Sequence, residues 1–229
     1  MNHVKPTLSI LTSFFALAFL AASGAAAQTQ AGSAPASRNQ QAQAAGAAPE
    51  SETDIGLSYY EAMNSSTTGN GVTQTPNNSG GGMFELRHIH SPFIGYELTY
   101  GYNREDETIG QAGCGSNCTL PTQKLTTSAS LLGLDWVVSK KMGNLRPFLA
   151  GGMGFFIDEP GNSTYAVIDV VRPAYLYGGG VDFSFTAHLG LRAQFRGSFY
   201  KAPNLSTLFP AQGVFTETEE PMGGIFYRF

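Results

Sequence analysis

Charged side chains are scarce in this sequence. Asp, Glu, Lys and Arg make up 13% of its 229 residues, about half the share of an average soluble domain. The basic residues nowhere cluster and the net charge is -4, which argues against nucleic acid as a partner. Cysteine is almost absent: Cys114 and Cys118 are the only two, spaced as "CGSNC". Neither directly adjoins the apolar N-terminal stretch, so a lipid-modified N-terminus is not expected. No histidine neighbours the two thiols, so a local disulfide in an exported chain is expected over a metal or redox site. The segment 28–53, "QTQAGSAPASRNQQAQAAGAAPESET", contains no aromatic residue and cannot bury a core; it reads as a disordered tether.

What is present points to strands. Twenty-eight glycines and 12% aromatics accompany a mean hydropathy of -0.10, near neutral despite the missing charge. Residues 1–27 have the layout of a secretory signal: Lys5, the apolar core "LSILTSFFALAFLAA", and small residues at Ala25 and Ala27, with cleavage expected after Ala27. From Asp54 the hydrophobic period is two, which predicts strands over 54–62, 83–90, 93–103, 124–138, 145–156, 173–185, 188–200 and 221–229. In 93–103, Ile94, Tyr96, Leu98, Tyr100 and Tyr102 share one face and Gly95, Glu97, Thr99, Gly101 and Asn103 the other. In 188–200, Leu189, Leu191, Ala193, Phe195 and Phe199 oppose Arg192, Gln194, Arg196 and Ser198.

Alternation alone also suits a soluble sandwich. Two further features separate the cases. The apolar faces carry Tyr and Phe near strand ends, as interfacial girdles do, and most segments match a tilted membrane-spanning strand in length. The connections alternate as well. "SP", "SKKMGN" and "TA" are short, whereas the stretches near 63–82, 104–123, 157–172 and 201–220 are long. Tight turns on one side and long loops on the other are the pattern of a bacterial outer-membrane barrel. The expected architecture is therefore an all-β, eight-stranded antiparallel up-and-down transmembrane barrel over 54–229. An even strand number places both barrel ends on the short-turn, periplasmic side.

The segments "FYRF", "LRPFLAGGMGFF", "AYLYGGGVDFSF" and "LGLRAQFRGSFYKAPN" resemble small outer-membrane barrels of the OmpA/OmpX type, and the similarity extends over residues 54–229. The resemblance implies an outer-membrane location, with lipid and lipopolysaccharide around the belt. It also implies that the Ile225, Tyr227, Phe229 row serves as a sorting signal for the barrel-assembly machinery. Eight strands leave an interior filled by side chains. The inward faces would hold Glu85, Arg87, Glu97, Asp135, Asp182, Arg192, Arg196 and Arg228, a balanced set expected to form a plugging salt-bridge network rather than an ion path. Inward glycines at 152, 154, 178 and 180 would leave room for arginines or water.

Catalysis is not expected. The one dense group of candidate base and nucleophile is "HIHS", His88 to Ser91, placed at a periplasmic turn with the imidazoles toward lipid. As a metal pair, His88 and His90 lack a third ligand. No cofactor or metal is assigned, and a monomer is expected. The acids of "NREDE", 103–107, read as a solvated loop face. The expected role is structural or interactive, with four outer loops meeting a surface partner. The rivals are a small pore using the lumenal charges, an outer-membrane lipid-modifying enzyme, and a soluble barrel holding a lipophilic ligand. The inward charge rows count against the last.

Overall fold

The computed structural model describes residues 51–90, 93–161 and 167–229. The signal segment and nearly all of the tether lie outside these residues. Ten strands follow in chain order: β1 (Glu52–Asn64), β2 (Thr67–Gly69), β3 (Val72–Pro76), β4 (Ser79–Ile89), β5 (Ile94–Gln111), β6 (Gln123–Ser139), β7 (Leu145–Pro160), β8 (Val170–Ser184), β9 (Leu189–Lys201) and β10 (Phe215–Arg228). Apart from the small β2–β3 hairpin, they make one antiparallel barrel in the order β1-β4-β5-β6-β7-β8-β9-β10. It closes where β10 pairs with β1, from Asp54 opposite Arg228 to Asn64 opposite Thr218. The backbone amide of Phe229 extends this seam by donating to the Thr53 carbonyl at 3.0 Å.

Each of the eight barrel strands matches one of the segments read from the sequence to within two residues at the short-turn end, but most are longer at the end carrying the long loops. The expected strand 93–103 runs on to Gln111, pairing down to Ile109 opposite Gln123 on β6. Its extension has polar residues on both faces, which is why alternation did not reveal it. The expected first loop likewise contains β2 and β3. β3 adds to the free upper edge of β5, Val72 opposite Gln111 through Pro76 opposite Glu107. At the other end, Glu52 and Thr53 belong to β1 rather than to the tether.

The outward face divides sharply. On β5 it is apolar and exposed from Ile94 to Tyr102, then turns polar at Arg104 and Asp106. β1 presents Ile55, Leu57 and Tyr59 before Glu61; β6 presents Val138, Trp136, Leu134 and Leu132; and β7 is apolar to Ile157, with Glu159 beyond. Aromatics gather at both margins: Phe93, Trp136, Phe183, Phe185, Tyr227 and Phe229 at the short-turn end, and Tyr59, Tyr102, Phe155, Tyr175 and Phe199 at the other. A soluble protein does not expose an unbroken apolar ring of this extent, whereas a hydrocarbon layer flanked by interfaces requires one. About nine residues of apolar strand face, as on β5, suffice to cross it when tilted.

The glycines of β7 and β8 correct one expectation. A Cβ at Gly152 would collide with the Leu134 carbonyl and Asp135 of β6, and one at Gly178 with the Phe195 carbonyl of β9. They permit close backbone approach between strands and do not chiefly make space for arginines. The glycine that does so is Gly56, whose missing Cβ would stand 3.0 Å from Glu85 and 3.4 Å from Arg192.

Leu134 lies mid-belt and is exposed. Leu134→Arg is expected to lower unfolding free energy in lipid by about 2–4 kcal/mol, as a charge facing hydrocarbon does. Urea titration in bilayers measures it, and a neutral effect would mean that this face meets water.

Candidate functional site: the filled lumen and its outer mouth

The interior is layered from the short-turn end upward. At the rim, Glu52 of β1 is held by Arg146 of β7, by Lys141 of the β6–β7 turn at 2.8 Å, and by Arg228 of β10 at 3.1 Å. Arg228 thus stands apart from the network expected to include it: it is the last residue of β10, at the rim, where its ion-pair partner is Glu52. Phe148 and Phe226 form the floor above this rim. The Arg87 guanidinium lies 3.9 Å from the Phe148 ring centre, and those of Arg192 and Arg228 lie 5.3 and 5.2 Å from Phe226. Guanidinium planes favour such faces because the ring quadrupole is negative there.

Above the floor the remaining expected residues meet. Arg87 Nε donates to Glu97 at 2.6 Å and Arg87 Nη1 to Asp182 at 3.2 Å. Arg192 reaches Asp182 at 2.7 Å and Asp54 at 2.9 Å, with Glu85 at 3.6 Å. Arg196 binds Glu97 at 2.9 Å, Asp135 at 2.8 Å and the Thr99 hydroxyl at 2.8 Å. Glu85 accepts from Ser58 at 2.9 Å and from Gln194. Every one of these charged groups is at most 4% exposed in its side chain. Five carboxylates (Asp54, Glu85, Glu97, Asp135, Asp182) face three guanidinium groups (Arg87, Arg192, Arg196), so the set is not balanced. Asp54 was missed because it sits at the predicted tether boundary; its position two residues before Gly56 on the inward face was the available signal.

Next comes an apolar layer of Tyr60, Met83, Leu131, Phe156, Leu176 and Met222, all buried. A charged lower lumen closed by an apolar layer offers no continuous polar path.

Beyond the belt, where outward faces turn polar, a second polar layer lines the outer mouth. Arg172 of β8 pairs with Asp158 of β7 through Nε at 2.8 Å and lies over the Tyr200 ring at 4.5 Å. The Tyr200 hydroxyl donates to Thr218 (2.6 Å), which donates to Asn64 (2.9 Å), whose amide donates to Glu105 (2.7 Å). Glu107 follows two residues later on the same face of β5, and Gln74 of β3 donates to it at 2.7 Å. The two glutamates therefore line the mouth and do not form a solvated loop face. Burial, with repulsion from Asp158, pushes Glu105 up to about 7. Burial and its neighbour Glu105 push Glu107 up to about 8. They were missed because both faces of this stretch are polar, which leaves no alternation to read. Asn64, Gln74, Glu105, Glu107, Arg172 and Thr218 surround a cavity of about 20 Å³, room for one water.

An outer cap covers the mouth. Val72, Ile109, Leu125, Leu205 and Phe209 form a buried apolar cluster from β3, β5, β6 and the segment 202–214. Gln212 donates to the carbonyls of Thr67 and Val72, both at 3.3 Å, and Asn70 donates to that of Ala211 at 2.8 Å. Cys114 and Cys118 are joined in a disulfide at the tip of the β5–β6 connection, beside a single 3-10 turn at Gly115–Asn117. His88 faces outward against Tyr96 and meets the Thr53 hydroxyl at 2.8 Å. Ser91 lies outside the described residues. Among the described residues no group of three or more His, Cys, Asp or Glu is arranged to hold a metal ion. Ile225, Tyr227 and Phe229 form an exposed outward row beside the seam.

No protein-family model matches the sequence, and a search of curated proteins returns no match. Among solved structures, the chain is similar to Neisserial surface protein A (NspA), at 10% identity and a TM-score of 0.52, over 78% of this chain and 97% of that one. It is similar also to the outer membrane protein OprG from Pseudomonas aeruginosa, at 11% identity and a TM-score of 0.54, over 79% and 97%. At such identities the likeness establishes the fold: the eight-stranded barrel of small outer-membrane proteins.

Removing one member of the lower network leaves buried carboxylates unpaired. Arg192→Met is expected to cost about 3–5 kcal/mol of stability. Urea unfolding in micelles, followed by the fluorescence of Trp136, the sole tryptophan, measures it. Lys124→Ala on the exposed outer face of β6 is expected to stay within about 0.5 kcal/mol.

Proposed function

We propose that this protein is an outer-membrane barrel that does not conduct and that acts through its outer cap, as a surface-interaction or envelope-structural element. The observation that carries this reading is the combination of an exposed apolar ring with an interior filled across its whole section. The ring suits hydrocarbon. The Arg87–Arg192–Arg196 network and the Tyr60–Leu176 layer obstruct solute passage in two successive ways. What remains available for interaction is the ordered outer platform, built from the β2–β3 hairpin, the disulfide-tipped β5–β6 connection and the 202–214 segment. The outward row Ile225, Tyr227, Phe229 supports a role in recognition by the assembly machinery, and the belt supports contact with lipid and lipopolysaccharide.

Two measurements test the reading. In envelope fractions, the folded chain should enter the outer-membrane fraction and change electrophoretic mobility on boiling. Recovery as a soluble periplasmic protein of single mobility would overturn it. In planar bilayers the purified barrel should show no stepwise conductance; regular single-channel steps would replace the closed reading with that of a small pore.

A further inference from the structure

The β2–β3 hairpin is fastened to the barrel by groups whose chemistry depends on protons. Its sheet contact is short, Val72 to Pro76 against Glu107 to Gln111. Behind that contact stand Glu105 and Glu107, two residues apart on the same inward face of β5. Two carboxyls side by side on one inward face and largely out of water cannot both ionise without strong mutual repulsion. Each also accepts from the hairpin side: Gln74 on β3 donates to Glu107, and Asn64, at the end of β1 where the chain enters the hairpin, donates to Glu105, both at 2.7 Å. The carboxyl pair is thus the polar joint between the barrel wall and the hairpin, and the one-water cavity lies against it.

The surrounding charges do not neutralise a second negative charge. Asp158 on β7 and Arg172 on β8 pair with each other, and Tyr200 on β9 is a phenol bound to Thr218. Tyr60 on β1 and Glu220 on β10 are buried further in. β6 presents neutral Gln123 and Thr127 inward, and β3 presents neutral Gln74. A fully ionised pair would therefore place Glu105, Glu107 and Asp158 against Arg172 alone, in a buried site.

We propose that Glu105 and Glu107 form a proton-operated latch that holds the β2–β3 hairpin down while one of them carries a proton and releases it when both ionise. The sign follows from linkage. Docked, the carboxyls hold a proton into the neutral range; released into water, they ionise near their ordinary value of 4.5. The docked state binds more protons between these limits, so docking is strongest below about pH 4.5 and weakens as pH rises to about 8. Release would open the one-water cavity and uncover the cap cluster around Val72 and Ile109, altering the surface the outer loops present.

Hydrogen exchange on the full barrel in detergent micelles tests the latch, read peptide by peptide at pH 6 and pH 9 with exchange times scaled for base catalysis. The protection of residues 72–75 is expected to fall on the order of tenfold or more, while that of residues 96–100 stays constant, because each proton differentially bound changes the equilibrium up to about tenfold per pH unit. In the Glu105→Gln/Glu107→Gln double variant the fall should vanish. Equal protection of 72–75 at both pH values in the unaltered protein overturns the proposal, whether or not the variant folds. A fall that persists in a variant showing the barrel's heat-dependent mobility overturns it equally. Each single substitution should reduce the fall, and an undiminished fall in both would assign it to other groups.

Discussion

The structure depends on the seam between β1 and β10. A sheet whose outer face is apolar all round has no water to satisfy its edges, so every backbone donor and acceptor within the belt must find a partner in the protein. An open edge there would leave a row of unpaired amides in hydrocarbon, at a cost of several kcal/mol each. Pairing along Asp54–Asn64 and Thr218–Arg228 removes that edge and forces everything else. Eight strands closed this way enclose a space that side chains alone can fill.

Closure then dictates what the interior must tolerate. Inward residues cannot reach water along most of the barrel, so the guanidinium groups are admitted only with carboxylate partners. Arg87, Arg192 and Arg196 each touch two or more carboxylates, and rings or hydroxyls take up part of the rest. The apolar layer from Tyr60 to Met222 separates this network from the outer mouth. Two polar layers divided by an apolar one make the mouth a chemically separate compartment. Its acids answer to Arg172 and to the hairpin, not to the lower arginines.

The eight strands were legible because a membrane barrel has a stringent period of two. Along β5 from Ile94 to Tyr102 every outward position is apolar, and along β9 from Leu189 to Phe199 all but Gly197 are, which leaves the inward ones by subtraction. Where the belt ends, so does the signal. Beyond Tyr102 both faces of β5 are largely polar, and its extension, the β2–β3 hairpin and the Glu105–Glu107 pair looked like loop. Glu52 and Asp54 adjoin a low-complexity stretch, whose composition masked the start of β1.

The sequence by itself determined the alternating barrel and, within the apolar belt, which face of each strand turns inward, because side-chain direction in a strand follows from parity alone. Only the tertiary structure decided which inward charges meet. Arg228 lies two positions from the Phe226 floor yet answers to Glu52 at the rim, while Arg192 reaches across to Asp54 on a strand 138 residues away. Partner choice in a closed barrel depends on the offset between strands around the ring. That offset is a sum over every pairing, and no single segment carries it.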